Sequence, residues 1–275
     1  MGFPPEWHAL GREAELAAEQ LATGVTLLGK ANHAQNGLYN QAFFSLSIGI
    51  ERLAKLVLIA DYAIENSGEW MTDDQLRLVG HDISKLIIAC EPIAQKFAEK
   101  KWSARPSLQI HAAMINCLTN FATLSRYYNL ASLTGGRAAQ RPEPIAAWWT
   151  DVGELILSLH YTESQKNRDL EIAVSMGELT GEFVHVLHHD EQQKAISDIK
   201  GLMLREGATK IVQKYGRLYV MQIIRWLSTT LSQLSHKGAY TNGIDALLGL
   251  NEPFVIFYNE DSYFLGRKTW SIYKL

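Results

Sequence analysis

The sequence contains little of what marks several protein classes. It has only two cysteines, Cys90 and Cys117, both in apolar surroundings, so neither a disulfide scaffold nor a cysteine-rich zinc site is expected. Its 47% hydrophobic and 20% charged residues exclude collagen-like, coiled-coil and wholly disordered chains. No basic stretch followed by an apolar one opens the chain. We therefore expect no export signal and predict a cytoplasmic protein.

The longest apolar stretch, residues 38–64, is too polar to span a membrane. A spanning helix needs about 20 consecutive, mostly apolar residues. Six polar or charged residues interrupt this one: Asn40, Gln41, Glu51, Arg52, Lys55 and Asp61. The stretch therefore predicts a buried helix, and no membrane partner is expected.

Most of the chain carries the signals of α-helices. Residues 37–66 form a long run of helix-forming residues that ends in turn residues. Thr72 and Gln75 have the spacing of a capping box, and Asp82 is a good residue for a helix N-cap. Gly80, which lies between these two signals, is expected to end the intervening helix. The sequence predicts a mainly α-helical protein.

One division of the chain is predicted. Residues 134–144 hold the only concentration of glycine and proline that is typical of a linker or mobile loop. We therefore predict a helical bundle at residues 1–133 and, packed on it, a further helical half at residues 145–275. Aromatic and β-branched side chains are frequent at residues 254–273, which predicts a small C-terminal β-hairpin.

Charge is unevenly distributed, although the formal net charge is only −3. Residues 100–142 and 207–244 contain no aspartate or glutamate. On a helix, four cations of the second segment fall on one side: Lys210, Lys214, Arg217 and Arg225. Because basic side chains attract phosphates, this stripe predicts contact with RNA, DNA or a nucleotide. A solvated face beside the acidic part of the same protein is the alternative.

Three short blocks in the first half resemble HEPN-type domains. Residues 39–59 resemble the second helix of these domains, with Glu51 and Lys55 one turn apart. Residues 80–87, which begin Gly-His-Asp, are similar to the segment that opens the following helix in several HEPN groups. Residues 125–128 are similar to the Arg-Tyr that often closes such domains. The blocks stand in the order of the family.

This resemblance implies an up-and-down bundle of four or five helices, frequently dimeric, from bacterial toxin, antiphage or RNA-processing systems. Some members are metal-independent RNases, and others pair with nucleotidyltransferases or serve as adaptors. The RNases carry an arginine, four to six residues and then a histidine; Arg77 and His81 have three residues between them. The resemblance predicts an RNA- or nucleotide-binding and assembly module, a homodimer, with a nucleotidyltransferase as a candidate partner protein.

Two other functions remain open. The first is a metal-independent endoribonuclease in which His81 acts as acid and base while Arg77 or Arg126 holds the phosphate. Arg77 and His81 share a face only if the helix continues through Gly80, since a left-handed Gly80 would separate them. The second is a scaffold protein that makes no contact with nucleic acid.

Glu51 and Lys55 have the favourable order for an ion pair within one helix, and a structural pair is the default interpretation. A functional alternative is a pocket lined by charged and aromatic side chains: Glu51, Arg52, Lys55, His81, Arg126 and Tyr127.

The metal candidates are Glu182, His185 and His189. Their spacing of i, i+3 and i+7 occurs in di-iron bundles, and histidines one turn apart hold zinc. No second Glu-x-x-His stands on a plausible partner helix, and histidines near a helix C-terminus are favoured by the helix dipole. We therefore expect neither a metal nor another cofactor.

Overall fold

The computed structural model describes residues 2–180, 183–184 and 186–272. These residues form eleven α-helices and one small sheet, which confirms a mainly helical protein. The helices are α1 Pro5–Leu28, α2 Asn36–Glu65, α3 Asp73–Val79, α4 Ile83–Gln95, α5 Gln109–Asn120, α6 Tyr128–Thr134, α7 Pro144–Trp148, α8 Glu154–His160, α9 Glu163–Thr180, α10 Ile199–His236 and α11 Asp261–Gly266. The strands β1 His188–His189 and β2 Ala195–Ile196 pair antiparallel. None of the helices in the described ranges is long and apolar enough to cross a membrane.

Helices α1 and α2 pack unusually close together because glycine faces leucine at two points. A Cβ atom added to Gly24 would lie 2.7 Å from Cγ of Leu46, and one added to Gly49 would lie 2.7 Å from Cγ of Leu21. Such distances leave no room for a larger side chain. Gly24 faces Leu46, whereas Leu21, three residues earlier in α1, faces Gly49, three residues later in α2. The two helices therefore run antiparallel.

Helix α10 joins the two halves of the chain. It packs against α1 and α2 from the first half and against α8 and α9 from the second. One continuous hydrophobic core contains buried side chains from both halves, among them Leu46 of α2 and Trp226 of α10. The indole of Trp226 also donates to the carbonyl oxygen of Ser103 at 3.0 Å. Within residues 134–144, Arg137–Gln140 forms a 3₁₀ helix.

The β-hairpin predicted at residues 254–273 is wrong for the residues that the structure describes there, which end at residue 272. A 3₁₀ helix, Glu252–Phe257, and α11 occupy this segment. Side chains three residues apart eclipse one another in a 3₁₀ helix, and Phe254 and Phe257 accordingly both enter the core. The aromatic composition of the segment reflects burial against α10 and α1, not strand formation.

Candidate functional site

Arg77 and His81, two of the predicted catalytic residues, lie on either side of the break between helices α3 and α4. Thr72 and Gln75 form the predicted capping box of α3, and the Asp82 side chain caps α4 by accepting from the amide of Lys85 at 3.1 Å. Between these helices Gly80 has a positive φ of 72° and ends α3. The continuous helix that an Arg77–His81 pair requires is therefore not formed.

Arg77 and His81 consequently have different partners. Nη2 of Arg77 lies 2.7 Å from Oδ2 of Asp73 on the same exposed helix. His81 points its Nδ1 at α2, where it lies 2.8 Å from Oε1 of Glu51. Lys55 donates to the same oxygen at 2.8 Å, which confirms the predicted ion pair within α2. Glu51, Lys55 and His81 thus form one cluster.

A groove of ≈ 350 Å³ runs beside this cluster and is lined by Glu51, Arg52 and Lys55. These three residues meet as the pocket hypothesis proposed, but Arg52 is bound to Glu13, with Nη1 2.6 Å from Oε2. His81 reaches the cluster through Glu51. Each cation that lines the groove already has a carboxylate partner, so the groove offers little positive charge for a phosphate.

Arg126 lies elsewhere, over the ring of Phe44 with its guanidinium carbon 5.0 Å from the ring centroid. Phe44 and Glu51 are seven residues apart on α2, which corresponds to about 10 Å along the helix axis on nearly the same side. Among the described residues, neither Arg126 nor Arg77 forms a hydrogen bond, an ion pair or a ring contact with His81. The three candidate catalytic residues therefore have three different sets of partners, and no contact joins them in the described part of the chain.

Arg126 instead lines a cleft of ≈ 380 Å³ at the start of α2. A π-helical turn, Phe121–Ser125, precedes Arg126 and presents it to the cleft. Its Nε is buried and has no hydrogen-bond partner in the described part of the chain. Tyr127, with 65% of its surface exposed, stands at the edge.

The N-terminus of α2 also lines the cleft. Helix α2 has 30 residues, and its N-cap, Gln35, makes no side-chain capping bond. The amide of Leu38 donates to the carbonyl oxygen of Gln35 at 2.9 Å. The remaining N-terminal amides and the positive end of the helix dipole favour an anion there. The one acidic residue that lines the cleft, Glu143, already caps α7 by accepting from the amide of Ala146 at 2.7 Å.

Three asparagines complete the polar lining: Asn36, Asn40 and Asn129. Sequence reasoning missed them because an isolated asparagine carries no motif. A usable signal was present, since Asn36 and Asn40 are four residues apart at the start of a helix and therefore share a face. Their amides can donate to an anion or pair with a polar ring edge.

The cations predicted to form a phosphate-binding stripe on α10 do not form one exposed surface, and their contact with a phosphate stays a prediction. Lys210 and Lys214 face solvent, but Arg217 and Arg225 are only 4% and 8% exposed. The C-terminal segment covers Arg225, whose Nη1 lies 2.9 Å from Oδ1 of Asp261. Helical periodicity placed the four cations on one side correctly but could not reveal which part of that side other elements cover.

Of the metal candidates, Glu182 and His185 lie outside the described residues, and His189 is exposed on β1. No group of three or more potential metal ligands occurs in the described ranges. Burial raises the pKa of both Cys90 and Cys117 to about 12. Both thiols are therefore protonated at neutral pH and are poor nucleophiles or ligands.

Comparison with protein-family models, with curated proteins and with solved structures finds no match for this chain.

Proposed function

We propose that this chain binds a phosphate-bearing ligand, single-stranded RNA or a nucleotide, in the cleft at the start of α2. The observation that carries the proposal is Arg126. Its Nε is buried and has no hydrogen-bond partner among the described residues. The Arg126 side chain lines the same concave site as the N-terminus of a long helix that lacks a side-chain cap.

The two parts of the site suit two parts of such a ligand. The guanidinium of Arg126 and the first amides of α2 suit a phosphate, since both supply donors and positive charge without a competing ion pair. Exposed Tyr127 offers a ring on which a base can stack, which aromatic side chains do in proteins that bind single strands. Asn36 and Asn129 add neutral donors and acceptors between them.

The surroundings of the cleft favour the same class of ligand. Arg137 and Arg141 follow in a segment without acidic residues, and neither forms an ion pair with a described residue. Arg141 and Ser125 line a smaller pocket beside the cleft, together with Asp151. A nucleic-acid backbone with several phosphates could contact Arg137 and Arg141 where it leaves the cleft.

This proposal agrees with the module that the HEPN resemblance implies, although that relationship, the homodimer and the nucleotidyltransferase partner all stay predictions. Binding is favoured over cleavage because the only cation in contact with His81 in the described part of the chain, Lys55, is paired to Glu51. A phosphoryl transfer site needs an available charge to stabilise the transition state.

Replacing Arg126 with alanine is expected to weaken binding of a short single-stranded RNA about tenfold or more at low salt, close to 1.4 kcal/mol. The slope of log affinity against log salt should also fall by about one, as expected for one lost phosphate contact. Fluorescence anisotropy with a labelled oligonucleotide measures both.

Arg77→Ala is the matched control, because Arg77 is an exposed arginine whose one ion-pair partner among the described residues is Asp73, on its own helix. It should bind RNA as the wild type does. Equal affinity of the Arg126→Ala protein and the wild type would refute the proposed site. Absence of RNA and nucleotide binding to the wild type at low salt would leave the scaffold hypothesis.

A further inference from the structure

Arg217 on α10 is a buried arginine without a partner. Only 4% of its surface is exposed. Its Nε is fully buried and unbonded, and its guanidinium forms no ion pair or hydrogen bond with any residue in the described ranges. Buried polar groups in folded proteins almost always have a partner, and an exception points to an ion or water that completes the site.

The other two arginines of α10 each have a carboxylate partner. Arg225 is matched by Asp261. Arg205 is matched by Glu191, with Nε 2.7 Å from Oε2. Burial lowers the pKa of Arg217, and no neighbouring charge offsets this effect. An uncompensated buried charge is strongly unfavourable, so Arg217 differs from its two counterparts in lacking an anion.

The position of Arg217 is set by the turn between α1 and α2. The guanidinium lies against Gly29, where a Cβ atom would collide with its Nη1. One turn earlier on α10, Nε2 of Gln213 donates to the carbonyl oxygen of Ala31 at 2.9 Å. Glycine at position 29 therefore keeps open the space in which the guanidinium sits.

The rim of this position is cationic as well. Lys214 and Lys210 precede Arg217 by three and seven residues, so they lie on the same side of α10, and both are exposed. Lys30, next to Gly29, is also exposed. None of these three lysines forms an ion pair with a described residue. The end of α1 contributes carbonyl groups, but a helix terminus supplies only about half a negative charge.

We propose that Arg217 binds a small tetrahedral oxyanion of the phosphate class at the α1–α2 turn, with Lys30 and Lys214 at the entrance. The near-complete burial of the guanidinium restricts the site to a free anion or a terminal phosphate. A guanidinium fork matches such an oxyanion with two parallel hydrogen bonds. This site is separate from the Arg126 cleft and does not depend on it.

The test uses the full chain in the Arg126→Ala background, which removes the contribution of the cleft. Inorganic phosphate and sulfate, compared with chloride at equal ionic strength, should raise the unfolding midpoint in a saturable way, because a ligand that binds only the folded state stabilises it. Calorimetric titration with phosphate should show one site. Adding Arg217→Met should abolish both effects, whereas adding Arg77→Met should leave them unchanged.

A second variant, Arg217→Lys, tests the site if the Arg217→Met protein does not fold. Arg217→Lys keeps the charge but loses the fork, and it should weaken phosphate binding about tenfold. The ligand could be a free anion or the terminal phosphate of a larger molecule, and a mononucleotide with a terminal phosphate distinguishes the two. If the mononucleotide competes with inorganic phosphate for this site, the site accepts a terminal phosphate. If it does not compete, the site accepts only the free anion.

Two results would overturn the inference: phosphate stabilises no more than chloride, or its effect persists in the Arg217→Met protein. These outcomes are independent of the proposed function. RNA affinity should respond to Arg126 and not to Arg217, while phosphate stabilisation in the Arg126→Ala background should respond to Arg217.

Discussion

Replacing Glu191 with alanine is expected to lower the free energy of unfolding by about 1.5–3 kcal/mol. The substitution removes the closer of the two carboxylates that pair with Arg205 and leaves Asp190 at 3.6 Å. Glu191 is completely buried. It accepts from Nε of Arg205 at 2.7 Å and from the hydroxyl of Tyr39 at 3.2 Å. The Arg205 guanidinium in turn lies 3.6 Å from the centroid of the Trp149 ring. Chemical denaturation followed by circular dichroism measures the loss.

This cluster fastens the loop between β1 and β2 to the start of α2. Burial, and next the charge of Glu191, raise the pKa of Tyr39 well above its ordinary value, so the hydroxyl stays protonated and donates to Glu191. The matched control is Glu191→Leu with Arg205→Met, which removes both charges and should recover most of the stability. A loss below about 1 kcal/mol for Glu191→Ala would mean that Arg205 finds solvent or another partner.

Replacing Phe257 with alanine is expected to cost about 3–5 kcal/mol, the range for truncating a fully buried aromatic ring. Val255, in the same 3₁₀ helix, is 54% exposed, so Val255→Ala should change stability by less than about 0.5 kcal/mol. Phe254→Ala should resemble Phe257→Ala, since both rings are buried. Unfolding midpoints in denaturant compare the three variants directly.

These variants also separate the observed helix from the strand that the sequence predicted. Side chains two residues apart share a face of a strand, so a hairpin would bury Val255 together with Phe257 and would place Phe254 on the opposite face. Comparable losses for Val255→Ala and Phe257→Ala, with a small loss for Phe254→Ala, would contradict the structure.

Local signals in the sequence predicted local structure well. The capping box at Thr72, the cap at Asp82 and the break at Gly80 all depend on residues within one turn of each other, and the structure confirms them. The β-hairpin predicted at residues 254–273 is wrong for the described residues 254–272, because aromatic side chains are frequent in strands but also pack in a helical core. Only the surface against which they pack decides between the two.

The sites depended more on distant contacts. Sequence reasoning named Arg126 and Tyr127, which line the cleft, but on the chain alone it could not join them to Asn36, about 90 residues earlier. Helical periodicity gave the common side of Lys210, Lys214 and Arg217, yet the burial of Arg217 follows from its contact with Gly29 in another helix. The match between Glu191 and Arg205 also needed the fold, because no local spacing marks a pair across a loop.

Hydrogen–deuterium exchange with and without bound single-stranded RNA tests the central claim most directly, since it locates the ligand on the unmodified protein. The account predicts slower exchange of the amides in the segments 36–40 and 126–130, which supply residues to the cleft lining, with residues 210–217 of α10 unchanged. Slower exchange confined to α10 or to the groove beside Glu51, with the cleft unaffected, would contradict it.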